Sequence, residues 1–357
     1  MLNNEFSLRP SERARLFSKY RLAAAFVPAV MLGFVALAAQ TEPAAREIPN
    51  NFTHLSIKDG MSQGAALALL QDRRGFIWIG TEDGLDRYDG YKFKIYRPSD
   101  DIHSLTDNTT YVLFQDSQGA IWVGTKNGLN RYDCELDRFT RFFSDPNNPE
   151  SLSHNTIRAV RESRDGTLWI GTDGGLNAFD RKTGKFTRYA RKAAVRGNTA
   201  QGEIYSIVED SAGVLWLATN GGLHAFEPKT GKVMRYSHDP RDPRSLSSNH
   251  TRVVFEDRDG TLWVGTEGGG LNALDRKTGK FTRYLNVFGR PRSLGHNNVY
   301  ALFQDRSGNL CVGTYAGLNV FDSRTKDFTV IRNNPADPKS LSFDYIVSFL
   351  EDKTGVL

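Results

Sequence analysis

The sequence predicts an all-β protein, a β-propeller of four-stranded antiparallel blades. Three observations carry that reading. A strand of the form Trp-Ile/Val-Gly-Thr recurs every 44 to 48 residues at Trp78, Trp122, Trp169, Trp216 and Trp263, with Cys311 in the Trp place of the sixth copy. Each copy divides into four short strand-like runs separated by Gly- and Asp-bearing turns. Aromatic residues make up 11% of the chain beside 33 glycines, and no helical periodicity appears after the N-terminal leader. Four strands per unit at this period describe propeller blades. Lone sheets would expose two apolar faces, whereas sheets packed around an axis bury both and protect their edges.

The third copy shows the elements in order. Ile157 to Arg161 is a strand, Ser163-Arg164-Asp165-Gly166 a turn, and Thr167 to Thr172 the Trp strand. Asp173-Gly174-Gly175 is a second turn, Leu176 to Phe179 a third strand, Asp180 to Gly184 a third turn, and Lys185 to Ala190 the fourth strand. The first turn closes on Gly75, Gly119, Gly166, Gly213, Gly260, Gly308 and Gly355, where a hairpin needs positive φ. Asp72, Asp116, Asp210, Asp257, Asp305 and Asp352 open it, where a carboxylate can accept backbone N–H groups. The Gly that comes after each Trp strand's apolar residue leaves room for a neighbouring backbone or ring. The Trp fills the space between adjacent sheets.

Residues 1–39 read as a signal peptide or membrane anchor. A basic stretch ends at Arg21, an apolar run extends from Leu22 to Ala39, and small residues close it. Either form places the remainder of the chain outside the cytoplasm, on the periplasmic side of a bacterial inner membrane. Residues 40–51 are a linker, and 52–357 the propeller. The net charge is +5, of which the leader supplies +3. So mild a balance does not imply nucleic-acid binding, and no nucleic-acid partner is expected. Cys134 and Cys311 fall in repeats two and six and are expected to be two isolated thiols.

Blade counting gives six full inner-strand sets and an incomplete seventh. Phe52-Thr53-His54-Leu55 resembles the fourth strands at Phe139-Thr140-Arg141-Phe142, Phe186-Thr187-Arg188-Tyr189 and Phe281-Thr282-Arg283-Tyr284. Tyr345 to Asp352 matches a first strand, and the chain stops one residue before a seventh Trp. The expectation is a seven-bladed ring, its last blade truncated, closed by strand exchange with Phe52. The blade junction at Cys311 should be looser than the others.

The repeat consensus is Asn-x-x-x-x-[apolar]-x-[Glu/Gln]-Asp-x-x-Gly-x-[Leu/Ile]-Trp-[Ile/Val]-Gly-Thr-x-x-Gly-Leu-Asn-x-[Phe/Tyr]-Asp. It resembles the two-component regulator propeller repeat of bacterial sensor proteins, over roughly residues 52–357. The resemblance implies an exported sensory region that precedes a β-sandwich, a transmembrane helix, and a histidine kinase or diguanylate cyclase. Catalysis would then belong to a C-terminal part beyond these residues. WD-type repeats place Trp-Asp at a strand end, and quinoprotein repeats place Trp shortly after Asp-x-x-Thr-Gly-Lys. Phe186 and Phe281 stand there instead.

No catalytic residue, metal site or cofactor is expected. Asp257-Arg258-Asp259-Gly260 faintly suggests calcium, but its sister turns read as plain hairpins. The seven histidines are scattered. Ser-Leu-Ser loops, as at Leu152, Leu246 and Leu341, read as hydrophobic pins. One pattern suggests a ligand site. Three residues after the recurring Asn, near the axis, stand Tyr111, Arg158, Tyr205, Arg252 and Tyr300, then Val347. Aromatic faces stack on sugars, and Arg grips carboxylates or phosphates in a fork. The alternative is packing between blades with the polar tips in water. The function expected is periplasmic ligand recognition in signal transduction. The partner would be a small molecule, a carbohydrate or organic acid, or a protein. Membrane attachment would run through the leader or a later helix, with a dimeric full-length protein compatible. A secreted propeller lyase or glycosidase, or an interaction scaffold, is the alternative.

Overall fold

Turn chemistry lays down four strands per copy. The computed structural model describes residues 51–189 and 202–357, and within them the chain forms six four-stranded antiparallel sheets of consecutive strands. Blades 1 to 6 span residues 68–96, 110–142, 157–188, 204–236, 251–284 and 299–331. Blade 3 is typical, with strands Ile157–Glu162, Leu168–Thr172, Gly175–Asp180 and Lys185–Arg188. Its third strand takes in residues expected in the flanking turns. The expected extension of its fourth strand to Ala190 falls outside the described residues, as do the leader and residues 40–50. First strands of consecutive blades lie against one another, so they line the axis and fourth strands form the rim. No helix among the described residues is long and apolar enough to cross a membrane.

Each Trp is placed from two sides. The indoles of Trp78, Trp122, Trp169 and Trp263 meet rings of the following blade edge-on: Tyr132 at 4.9 Å, Phe179 at 5.2 Å, Phe226 at 5.7 Å and Phe321 at 5.1 Å. Trp216 packs into the cluster holding Leu274 and Phe281 of blade 5. On the other side, each indole N–H donates to the group that opens its blade's first turn. Trp78 reaches Asp72 Oδ2 at 3.0 Å, Trp122 reaches Asp116 at 2.8 Å, Trp216 reaches Asp210 at 2.8 Å and Trp263 reaches Asp257 at 2.7 Å. The other oxygen, Oδ1, accepts the backbone N–H that closes the turn, as from Ala120 at 2.9 Å. In blade 3 the Ser163 hydroxyl accepts from Trp169 at 3.0 Å.

The rest of the Trp-strand pattern has equally local causes. A Cβ on Gly80 would lie 2.9 Å from the Thr110 carbonyl oxygen and 2.6 Å from Thr110 Cγ2, so only Gly admits the next blade's first strand. The Thr hydroxyls close the second turn, as Thr172 Oγ1 does by donating to the Gly175 carbonyl at 3.0 Å. The loop leucines Leu105, Leu152, Leu246 and Leu294 are fully buried pins.

The structure corrects the blade count. Six blades carry four strands, and no seventh four-stranded blade is present among the described residues. A strand needs a ladder partner, and residues 345–352 have none among the described residues. Their hydrogen bonds nevertheless repeat those of a first strand and its turn. Ile346 N donates to Thr314 O at 3.0 Å as Thr110 N does to Thr81 O at 2.8 Å, and Asp352 Oδ1 accepts Val356 N at 3.0 Å. Phe52 N donates to Lys339 O at 2.8 Å, as Phe139 N does to His103 O, and Phe186 N to Glu150 O. His54 Nε2 lies 2.8 Å from Ser340 O, where Arg188 Nε meets Ser151 O at 2.9 Å. Lys353 N donates to Gln71 Oε1 at 2.7 Å, which ties the far end of the chain to blade 1.

Apolar clusters fill every junction between consecutive blades from 1 to 6, and none surrounds Cys311 among the described residues. Cys311 is buried, and burial first, then Asp305 and Glu351, pushes its thiol up to about 12. The donor that a Trp would bring comes from Asn309, whose Nδ2 donates to Asp305 Oδ2 at 2.7 Å. Both cysteines are free, Cys134 exposed and Cys311 buried.

Asp116→Ala should lower unfolding free energy by about 2–3 kcal/mol, because it strands the buried Trp122 N–H and removes one of the two carboxylates that hold Arg181. Ser163→Ala, which strands only a neutral bond, should cost about 1–2 kcal/mol. Burial raises the Asp116 carboxyl, but Trp122 and Arg181 more than offset it and hold it below the ordinary value. Its contribution is therefore complete above about pH 4 and lost as pH falls through the depressed value. Urea unfolding of the three proteins at pH 7 and pH 3 measures both effects.

Candidate functional site

Tyr111, Arg158, Tyr205, Arg252 and Tyr300 each occupy the second position of a first strand. In all five the register slips there. Thr110 pairs with Thr125 and Val112 with Gly124, so Tyr111 is the extra residue of a β-bulge. The same slip isolates Arg158, Tyr205, Arg252 and Tyr300. A bulge re-aims the side chain it carries. Here five successive blades use one to gather half-buried side chains at one mouth of the axis, beside the turns between second and third strands.

The side chains form a ladder. The Arg158 guanidinium lies 5.2 Å from the ring centroids of both Tyr111 and Tyr205. Arg252 lies 4.3 Å from Tyr205 on its other side. Both arginines are also paired with carboxylates from the second turns of their own blades. Arg158 Nε meets Asp173 Oδ1 at 2.5 Å with Nη2 on Oδ2 at 3.2 Å, and Arg252 Nε meets Glu267 Oε2 at 2.9 Å. Burial works against each guanidinium charge, but its carboxylate more than offsets that and raises the pKa. Tyr205 donates to Glu203, and burial followed by that bond pushes its phenol up to about 12.

Tyr300 ends the ladder in an aromatic group. Its ring is 5.0 Å from Tyr315 and 5.3 Å from Tyr345, and Tyr315 stacks on Tyr345 at 4.5 Å and 27°. His296 meets Tyr315 edge-on at 5.6 Å. Tyr315 is 45% exposed, so this group presents ring surface to solvent. Leu67 and Val347 hold the flanking positions in the slots before and after the ladder.

The sequence-predicted ring residues thus come together, while the forked grip on an anion does not stand free. Sequence reasoning missed Asp173, Glu267, Glu203, Tyr315 and Tyr345. A signal was available: the residue after Gly-Thr is acidic in the two arginine blades and Tyr315 beside Tyr300. The other candidates are structural. Asp257 uses Oδ1 on Asp259 N and Thr261 N and Oδ2 on Trp263, the same hairpin and indole bonds that its sister residues make. His154 and His296 accept backbone N–H bonds from Thr156 and Asn298. His224 is buried in a strand and held down to about 4, first by burial and then by Arg235. No three His, Cys, Asp or Glu converge on a metal position among the described residues. Two open clefts lie away from the mouth. One of about 550 Å³ follows the rim of blade 3, and one of about 480 Å³ holds Arg73, Arg131 and Cys134 at the opposite end. Neither gathers bulged residues, so the ladder remains the better candidate.

A sequence profile of the two-component regulator propeller family matches residues 60–83, 104–127, 151–174, 200–221 and 245–268. The chain is built of two-component regulator propeller repeats. The extracellular domain of the hybrid two-component system BT3049 from B. thetaiotaomicron superposes with a TM-score of 0.74 at 26% identity, over 86% of this chain and 40% of that one. That of BT4673 from the same organism gives 0.68 at 25%, over 85% and 38%. A histidine kinase P4 of Formosa agariphila is 51% identical over 39 residues, 11% of this chain and 3% of the kinase. This propeller therefore spans well under two thirds of each relative. Virginiamycin B lyase from Staphylococcus aureus shares the fold alone, at 15% identity and a TM-score of 0.55 over 78% of this chain and 89% of the lyase. The propeller resembles extracellular sensor regions rather than an enzyme.

Freeing an arginine should convert the mouth into an anion site. Asp173→Asn should raise the thermal shift given by small organic acids above that of the wild-type protein while leaving neutral sugars unchanged. Differential scanning fluorimetry in low salt reads this directly.

Proposed function

We propose that this chain is the periplasmic sensory propeller of a bacterial signal-transduction protein, receiving a small ligand at the Tyr111–Arg158–Tyr205–Arg252–Tyr300 mouth. The observation that supports it is the run of five consecutive bulges that bring Tyr111, Arg158, Tyr205 and Arg252 into stacking contact and Tyr300 into an aromatic group with Tyr315 and Tyr345. Packing alone would not need a bulge in five successive blades, and the first strand of blade 1 has none. Because Asp173 and Glu267 occupy both arginines, the surface suits a neutral hydroxylated ring, a carbohydrate, better than an organic acid. Output would pass to a histidine kinase or diguanylate cyclase elsewhere in the protein. A lyase reading gains nothing from the mouth, whose carboxylates are spent on Arg158, Arg252 and Tyr205.

The test compares thermal shifts of wild type and Arg158→Ala across neutral sugars and organic acids. At least one sugar should stabilise the wild type and do so less in the variant. Equal shifts for every binder would remove the mouth as the site.

Ile346 shares its backbone bond with the first strand of blade 2, and Phe52 and His54 share theirs with fourth strands, which supports a rim-like place for Phe52–Leu55. His54 stands where Arg141, Arg188 and Arg283 each make several bonds to loop carbonyls. His54→Arg should therefore raise stability by about 1 kcal/mol, read by urea unfolding. No gain would argue against the rim assignment.

A further inference from the structure

Beneath each inter-blade loop, a buried polar side chain from the blade's third strand holds the chain in place. In blades 2, 3, 5 and 6 it is Asn. Asn130, Asn177, Asn272 and Asn319 accept the N–H of the residue after the leucine pin, at 3.1, 2.9, 3.1 and 2.6 Å. Their Nδ2 groups donate to the facing second-strand carbonyls of Val123, Ile170, Val264 and Val312, at 3.2 to 3.3 Å. Blade 4 has His224 there.

Blade 1 has Asp86. Its Oδ2 accepts Ser62 N at 2.8 Å, the same loop bond. The register sets Asp86 opposite Ile79 as it sets Asn130 opposite Val123. Asp86 is 0% exposed, and its Oδ1 has no hydrogen-bond partner. An ionised carboxylate has no hydrogen to offer the Ile79 carbonyl, and two facing oxygens repel. The neutral acid, protonated on Oδ1, restores the bond that Asn makes in the sister blades.

The surroundings favour that form. Across from Asn130, Asn177, His224 and Asn272 the fourth strands set Arg141, Arg188, Arg235 and Arg283, but across from Asp86 they set Ile95. The charged groups acting on Asp86 are Arg97 and Asp83, which are paired with each other at 2.8 Å in an exposed turn. The loop side brings hydroxyls, Ser62 Oγ 2.9 Å from Thr81 Oγ1. Burial raises the carboxyl above its ordinary value of 3.8, against the Ser62 bonds and Arg97.

Ser62 comes directly after Met61, the buried residue in the leucine-pin place. The strap that leads to it begins at Phe52 and His54, bonded to Lys339 and Ser340 at the other end of the chain. We propose that Asp86 is a proton-binding site that couples ambient pH to this strap: the neutral acid holds Ser62 and Ile79 together, and ionisation breaks the second bond and releases residues 56–62.

Linkage sets the sign. A carboxyl raised in the folded state contributes stability fully present below the unfolded value, and lost as pH rises through the folded value. Asp86→Asn supplies a permanent donor and should be indifferent to pH over that window. Its Tm should exceed that of the 357-residue wild type by about 2–4 °C at pH 7.5, and the gap should close towards pH 4. Hydrogen exchange at residues 56–63, corrected for intrinsic rates, should quicken from pH 4.5 to 7.5 in wild type and not in the variant. A gap that is constant with pH, or a less stable variant at both, would overturn the proposal. If the variant does not fold, the ¹³C titration of the Asp86 carboxyl in wild type decides, with a midpoint at or below about 4 against it.

Discussion

The carboxylate that opens each first turn holds two groups the fold cannot leave unpaired. One is the backbone N–H that closes the hairpin, and the other is the indole N–H of the Trp between two blades. A buried donor without a partner costs roughly 1–3 kcal/mol, so the carboxylate ties hairpin geometry to inter-blade packing. Departures show the same demand. Where Ser163 replaces the carboxylate, Asp165 accepts its hydroxyl at 2.6 Å and takes over the turn. Where Cys311 replaces the indole, Asn309 supplies the donor that Asp305 would otherwise lack. One partner changes and the neighbouring residue compensates, within the same hairpin.

Because the Trp fixes how closely blades approach, the first strands are forced together at the axis. Gly80, Gly124, Gly171, Gly265 and Gly313 exist for that approach, and each would place a Cβ against the first strand of the next slot. The bulges answer the same crowding. A bulged residue need not fit the ladder, so it can carry a large side chain to the mouth without opening the blades. The candidate site is thus built from positions that packing releases rather than from positions it requires.

This division explains what could be read in advance. The Trp, Gly, Asp and Thr positions follow local rules repeated in every copy, so strands and turns were legible from the sequence. The ring of Tyr111, Arg158, Tyr205, Arg252 and Tyr300 was legible as a repeat position. Its bulge was not, because register depends on the partner strand. Nor were the partners Asp173 and Glu267, since contact across a blade's second turn leaves no spacing rule within one strand. The blade count failed for a related reason. A sequence match identifies a strand by its side chains, whereas a strand in the fold also needs a neighbour to ladder with.

The blade junctions are not equivalent, and the difference runs the height of the ring. Arg158 and Arg252 belong to blades 3 and 5, as do their partners Asp173 and Glu267. At the opposite end the same two blades carry Arg181 and Arg276, where blades 2, 4 and 6 have Cys134, Pro228 and Ser323. Arg181 reaches back to Asp116 of blade 2 at 2.5 Å while holding Glu162 at 2.8 Å. Arg276 does the same with Asp210 at 3.4 Å and Glu256 at 2.6 Å. Both grips fall on the carboxylates that hold Trp122 and Trp216. Blades 2 and 3, and blades 4 and 5, are therefore clamped at the foot through the Trp-holding carboxylates, whereas junction 3/4 is held there by Arg164 of blade 3, which lies 3.5 Å from Glu209 of blade 4. At the mouth, Arg158 and Arg252 touch Tyr205 from both sides across junctions 3/4 and 4/5. The ladder thus spans two junctions that are both held at the foot but by different contacts: junction 4/5 by Arg276 on the carboxylate that holds Trp216, and junction 3/4 by Arg164 on Glu209 and the Ser211 carbonyl.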